Sequence, residues 1–458
     1  MRRSRQSSAG PRSGSSTTSD PAAAPPDSAP RLLRAVGLAG LTAIAVNGVV
    51  GSGIFVLPAT VFGLAGAAAP AAHLLAALLM ALVVACFAEA GSTFVETGGP
   101  YLYARAAFGE FAGFLVGWMF FLSRLAGAAA IANAFVAYLG YVAPSLGSGA
   151  GRVAAITVAV GGLAALNFLG VRAGSRAVNL LTVAKLVPLL IFVGAGLFVV
   201  DTSRVTLLAL PELGSLRQAA LLLVFAYGGF ENACVPAEEA LNPRRHLPVA
   251  LLSTIGAVAI LYVLIQVVAQ GALPDLATSR TPLASAARNV LGEPGALMVT
   301  AGAIVSTLGS ISALALVGPR ILYAFARHGQ LPAALGAIHP RRLSPHWAVV
   351  VFALLTWAVA LGGGFAQLAA MSAVARLLFS ASTCLAVPVL RRRQPASERG
   401  FALPGGPFIP LLAAGLSVWL LSGVTSTQAA VGGLALVSGV AIHAVRWRFS
   451  SGGSRRAG

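Results

Sequence analysis

Four ionisable residues stand inside long apolar runs of the chain: Arg124, Lys185, Glu231 and Arg376. A charge withdrawn from water is costly, so residues of this kind mark binding, ion movement or helix pairing. Lys185 is the single lysine, every other cationic side chain being arginine. Arginine keeps its proton, whereas a lysine removed from water can surrender it, so this choice suits proton coupling or a fixed cation bridging two helices. Glu231 is open to protonation near neutral pH unless a cation pairs with it, and Arg124 and Arg376 are candidate partners. Glu89 falls near the end of another apolar run, where a solvated or capping role is equally open.

The main chain offers a second source of chemistry. One run reads Asn47, Gly48, Val49, Val50, Gly51, Ser52, Gly53, Ile54, Phe55, then Pro58, and another reads Phe225, Ala226, Tyr227, Gly228, Gly229, Phe230, Glu231, then Pro236. Glycine and proline at such density interrupt a helix, and an interruption frees N–H groups that attract anions and carbonyls that attract cations. One cluster alone would be read as close helix packing, since 52 of the 458 residues are glycine. Two clusters in corresponding places, one carrying a glutamate, instead suggest two inverted repeats with a binding site between their broken helices.

The elements that must position these residues follow from composition. The chain is 57% hydrophobic and 10% charged, and its mean hydropathy of +0.85 excludes an ordinary water-soluble domain. Runs of about 20 apolar residues, enough to cross a bilayer core of roughly 30 Å, recur about twelve times. They cover about 36–60, 70–94, 108–141, 153–171, 176–200, 215–237, 247–272, 295–326, 345–362, 365–390, 406–424 and 428–447. The expected fold is therefore an all-α membrane protein of about twelve transmembrane helices, with the first and sixth discontinuous. Residues 1–30, rich in Ser, Pro, Ala and Arg, read as a disordered cytoplasmic tail, followed by a twelve-helix domain over about 31–450 and a short cytoplasmic tail over 451–458. Arg2 and Arg3 read as part of this basic tail rather than as an export signal, since the expected short apolar core and cleavage site are not seen before the first full-length run.

The net charge of +18 is spread between apolar runs rather than gathered into a nucleic-acid-binding domain. With both termini inside, about 23 arginines fall on the cytoplasmic face and about five outside. The inside set includes Arg31, Arg34, Arg172, Arg176, Arg244, Arg245, Arg341, Arg342, Arg391 to Arg393, Arg446 and Arg448. A multi-pass protein of the cell (inner) membrane with cytoplasmic N- and C-termini is expected, its basic residues facing anionic lipid.

An intramembrane enzyme would need a nucleophile with its base, a carboxylate pair or a metal set. The histidines, His73, His246, His328, His339, His346 and His443, fall mostly at run ends or between runs without ligand spacing, and Ser52 has no base nearby. Cys86, Cys234 and Cys384 each stand alone and read as reduced packing residues. No enzyme activity, cofactor, metal or nucleic-acid partner is expected. A channel would need rings of like charge or a filter shared between subunits, and duplication within one chain argues for a transporter.

Over about residues 31–450 the chain resembles the amino acid-polyamine-organocation permeases. The resemblance rests on Gly51 to Phe55, on Phe225 to Glu231, and on Val235 to Glu239 followed by Asn242, Pro243, Arg244, Arg245 and Pro248. It includes Glu96 to Tyr101 and Leu403 to Pro407 as well. It implies the LeuT-type fold of the sodium-coupled neurotransmitter transporters: one five-helix repeat over about 36–200, an inverted repeat over about 215–390, and helices 11 and 12 over about 406–447. It implies secondary active transport of an amino acid by alternating access, through proton symport or through exchange of substrate for product. In the family the substrate carboxylate is held by amides that correspond to Gly51, Ser52 and Gly53, with the Ser52 hydroxyl as a further donor. The substrate amine is held by carbonyls that correspond to Val49, Phe225, Ala226 and Gly228. Phe225 matches an aromatic gate, an apolar core role being open beside it. Lys185 matches a lysine that fills the sodium site in proton-coupled members, and Glu231 matches a pH-sensing glutamate, or a structural latch if an arginine pairs with it. Arg124 stands where a small or neutral residue is commoner; it either selects substrate by charge or pairs with Glu231. Arginine and lysine are the less favoured substrates.

Overall fold

The computed structural model describes residues 36–94, 99–168, 175–206, 212–234, 240–340, 342, 344–393 and 400–454, with backbone alone for 175–181 and 445–454. The expected tail over 1–30, residues Arg31, Arg34, Arg172 and Arg341, and the segments Glu96–Gly98 and Val235–Glu239 lie outside them.

Among the described residues the regular structure is helical, apart from an isolated bridge between Val36 and Ala240. Ala- and Leu-rich runs favour helix, and a helix apolar on every side is stable only where lipid or protein surrounds it. The helices are α1 (Leu38–Val49), α2 (Gly53–Ala65), α3 (Ala69–Thr93), α4 (Pro100–Phe108), α5 (Glu110–Val142), α6 (Gly149–Phe168) and α7 (Ser175–Gly196). They continue with α8 (Leu213–Ala226), α9 (Pro243–Ala272), α10 (Pro282–Arg327), α11 (His346–Gly362), α12 (Phe365–Arg393), α13 (Phe408–Leu421) and α14 (Ser426–Ser454). Among the described residues eight helical stretches are long and apolar enough to cross a membrane, and four shorter apolar helices accompany them: Leu38–Val49, Thr182–Gly196, His346–Gly362 and Phe408–Leu421.

Several elements differ from expectation. Helix α4 precedes the third run, and at 9 residues it is too short to cross a membrane. Helix α10 begins at Pro282, well before the expected 295, and is broken at Gly292 (φ 71°). Helix α14 continues past 447 to Ser454, no proline standing in its way.

The feature that positions the site is the meeting of two interrupted helices. Helix α1 stops at Val49 and α2 starts at Gly53, while α8 stops at Ala226 and gives way to a 3₁₀ turn over Phe230–Cys234. The breaks touch backbone to backbone at Gly48 and Gly229: a Cβ on either would collide with the other's carbonyl, and Gly229 also needs φ 113°. Around them α5 packs extensively on α12 and α10, and α3 on α9.

Several buried polar residues tie this frame together. Glu89 is buried in α3 rather than solvated, because Arg391 of α12 grips both its oxygens at 2.6 Å and the Leu403 amide donates to it at 2.9 Å. His73, in the first turns of α3, is fully buried, its Nε2 lying 3.2 Å from Gln266 Oε1 of α9. Cys86 and Cys384 do not stand alone: both are buried and reduced, and their thiols meet where α3 and α12 pack.

Removing the carboxylate from the Glu89–Arg391 link breaks a largely buried ion pair, at a cost of about 3 kcal/mol. Glu89→Gln is predicted to lower the unfolding temperature in detergent by several degrees and Glu89→Asp by less; equal melting of all three proteins would show that the link contributes nothing.

Candidate functional site

The last turn of α1 leaves carbonyls without intrahelical partners, at the helix end where partial negative charge collects. A cation and a hydroxyl meet them. Lys185 Nζ, fully buried on α7, donates to Val50 O at 2.9 Å and to Asn47 O at 3.2 Å. Ser306 Oγ of α10 donates to Val50 O at 3.2 Å and Gly51 O at 3.4 Å. The helices carrying the two donors pack closely, a Cβ on Gly302 of α10 reaching 3.0 Å from the ring of Pro188 on α7.

The second break is held by charge. Glu231 in the 3₁₀ turn accepts from the Gly229 amide at 2.8 Å, faces Arg124 Nη2 of α5 at 3.2 Å, and receives a close contact from Arg376 Nη1 of α12. Both arginines therefore pair with Glu231. Arg124 also reaches Asn232 Oδ1 at 3.4 Å and lies 4.4 Å over the Phe120 ring. Buried charges survive only when paired, and here one carboxylate answers two guanidiniums, leaving one positive charge in surplus. Reciprocal bonds hold α5 and α12 in register: Ser123 Oγ donates to Ser372 O at 3.0 Å and Ser372 Oγ to Ser123 O at 2.8 Å. A Cβ on Gly228 would run into the Arg376 guanidinium, so glycine there lets the cation lie against the break.

Between the breaks lies a small chamber of about 40 Å³. Val49, Gly51, Ser52, Gly53, Phe225, Ala226, Gly228 and Arg124, all singled out in the sequence, line it together, and Arg376 joins them. Lys185 and Glu231 stand behind the wall, one bound to the first break and the other bound to the arginines. Some backbone groups already have partners. The Gly51 amide donates to Val49 O at 2.8 Å, so the amides that open α2 toward an anion are those of Ser52 and Gly53. Tyr262 of α9 donates to Val49 O at 3.0 Å and to Ala226 O at 3.4 Å, one hydroxyl serving both breaks. Phe225 packs edge-on against Phe365, their ring centroids 5.7 Å apart.

Tyr262, Ser306 and Ser310 escaped the sequence reading. Their signal is polar residues spaced four apart in otherwise apolar helices, Tyr262–Gln266–Gln270 on α9 and Ser306–Ser310 on α10, which puts each set on one helix face. Among the described residues no group of His, Cys, Asp and Glu converges as a metal-ligand set.

Two broken apolar helices closing one polar chamber define a multi-pass membrane transporter rather than an intramembrane enzyme. The amino acid permease family profile matches residues 36–440, and the chain belongs to that family. It is 29% identical over 422 residues to a methylthioribose transporter of Bacillus subtilis (strain 168), covering 86% of this chain and 90% of the relative. It is 29% identical over 425 residues to the serine/threonine exchanger SteT of the same organism, covering 90% and 95%. It is 28% identical over 406 residues to the b(0,+)-type amino acid transporter 1 of Rattus norvegicus, covering 85% and 82%.

Tyr262→Phe removes the hydroxyl shared by the two breaks at constant ring volume. The expected outcome is a loss of about 1–2 kcal/mol in stability, the cost of leaving buried acceptors unmet, read as earlier thermal unfolding in detergent together with slower uptake. Unchanged unfolding and uptake would show that the hydroxyl does not hold the breaks.

Proposed function

We propose that the chain is a secondary active amino acid transporter that works by alternating access and is driven by proton movement. The observation that supports this most is the pair of broken helices opening onto one chamber, which offers unpaired amides on one side and carbonyls on the other. A zwitterionic amino acid backbone has the matching pair of charges. Its carboxylate docks at the Ser52 and Gly53 amides and the Ser52 hydroxyl, and the Gly51 amide joins when its bond to Val49 opens. Its ammonium docks at the carbonyl of Gly228, Phe225 and Ala226 contribute their second lone pairs, and Val49 joins when its bond from Gly51 opens. Phe225 covers the bound substrate, and Arg124 forms part of the substrate-facing wall.

Lys185 supplies the coupling. Protonated, it ties α7 to the Asn47 and Val50 carbonyls; after losing its proton to one side of the membrane it releases them, and the first break is free to move. Glu231, ion-paired on both sides, acts as a latch that fastens the second break to α5 and α12 rather than as a pH sensor. The scaffold is the LeuT-type arrangement of twelve spans, with inverted repeats over about 36–200 and 215–390 and two further helices over about 406–447. It sits in the cell (inner) membrane with both termini cytoplasmic, the tails being about 1–30 and 451–458. Obligate exchange is the second reading, favoured by the likeness to a serine/threonine exchanger; in that case Lys185 is a fixed cation.

Uptake of a mixed labelled amino acid pool into proteoliposomes, with and without an inward proton gradient, separates the two. Accumulation above equilibrium is expected with the gradient, and Lys185→Ala is expected to abolish accumulation while leaving exchange. Uptake only into preloaded vesicles would establish exchange, and concentrative uptake by Lys185→Ala would remove the lysine from coupling.

A further inference from the structure

The charged side chains on the chamber wall are Arg124 and Arg376, and Glu231 behind them neutralises one of the two. A neutral amino acid carries no net charge and would leave that surplus uncompensated where water is scarce. A cationic amino acid would increase it. Anionic side chains are the class that closes the balance, because charge interactions are strong in a poorly hydrated interior.

The hydrogen-bond inventory points the same way. Arg124 Nε and Arg376 Nε are buried donors with no hydrogen-bond partner among the described residues. The hydroxyls of Ser52 and Ser310 on the same wall also lack one. Buried donors left unmet are costly, and guanidinium N–H groups favour a carboxylate above other acceptors. We infer that the chamber selects amino acids whose side chain carries a carboxylate, held by the free edges of Arg124 and Arg376 while the α-carboxylate occupies the start of α2. This inference rests on the amino acid transport reading and specifies its substrate class.

Arg124→Gln tests it without dismantling the ion-pair cluster, since Glu231 keeps Arg376 in a one-to-one pair. Labelled amino acid uptake into proteoliposomes is challenged with unlabelled glutamate or aspartate, with their uncharged isosteres glutamine and asparagine, and with lysine. The wild-type protein is expected to prefer the acids over the amides by about ten- to a hundredfold, the range of one charge-assisted hydrogen-bonded contact, and to ignore lysine. Arg124→Gln is expected to erase or reverse that preference and Arg124→Lys to keep most of it. Equal competition by glutamate and glutamine, competition by lysine, or an unchanged preference in Arg124→Gln would overturn the inference and leave amino acid transport standing. Failure of every amino acid to compete would overturn both.

Discussion

A backbone that leaves its helix inside a bilayer must find other polar partners, since neither lipid nor an apolar core can supply them. Nearly every unusual residue near the centre of this protein answers that constraint. The end of α1 releases carbonyls, and Lys185, Ser306 and Tyr262 arrive from three different helices to meet them. The second break exposes the Gly229 amide, and Glu231 turns back to accept from it. These partners hold the interruptions open as structured polar surfaces, so that a chamber can exist between them.

Glu231 creates a further demand, since a buried carboxylate needs cations and those cations need positioning. Arg124 and Arg376 come from α5 and α12, and the reciprocal Ser123–Ser372 bonds fix how these helices face each other. The absence of a side chain at Gly228 is what allows the second guanidinium to approach. The arrangement satisfies the glutamate and leaves one positive charge over. Local stability and the electrostatic character of the chamber therefore have the same origin.

Much of this was legible in the sequence, for identifiable reasons. Both breaks were visible because glycine and proline act locally and the clusters recur in corresponding places. The buried ions were visible because a charge is conspicuous in an apolar run. Arg124 and Arg376 were visible as candidate partners of Glu231, but not that both pair with it at once, since residues 124, 231 and 376 are distant in the chain, only the packing of α5 on α12 unites them, and either arginine alone would have satisfied the glutamate. The burial of Glu89 was hidden because its partner Arg391 lies 302 positions away. His73 looked terminal, yet α9 brings Gln266 against it. Helix α4 and the start of α10 were hidden because short helices carry no membrane-length apolar run. Tyr262 and Ser310 were overlooked because a lone hydroxyl in an apolar helix is usually satisfied by its own backbone.

The proposed transport places an amino acid in the chamber between the two breaks. Ser310, facing Gly51 across that space, is the place to ask. With the three native cysteines buried, Ser310→Cys provides a reporter for a small thiol reagent in proteoliposomes, its labelling rate measured with and without saturating transported amino acid. The predicted result is protection that follows the same concentration dependence as uptake. Labelling at an undiminished rate, by a variant that still transports that amino acid, would place the substrate elsewhere and contradict the account.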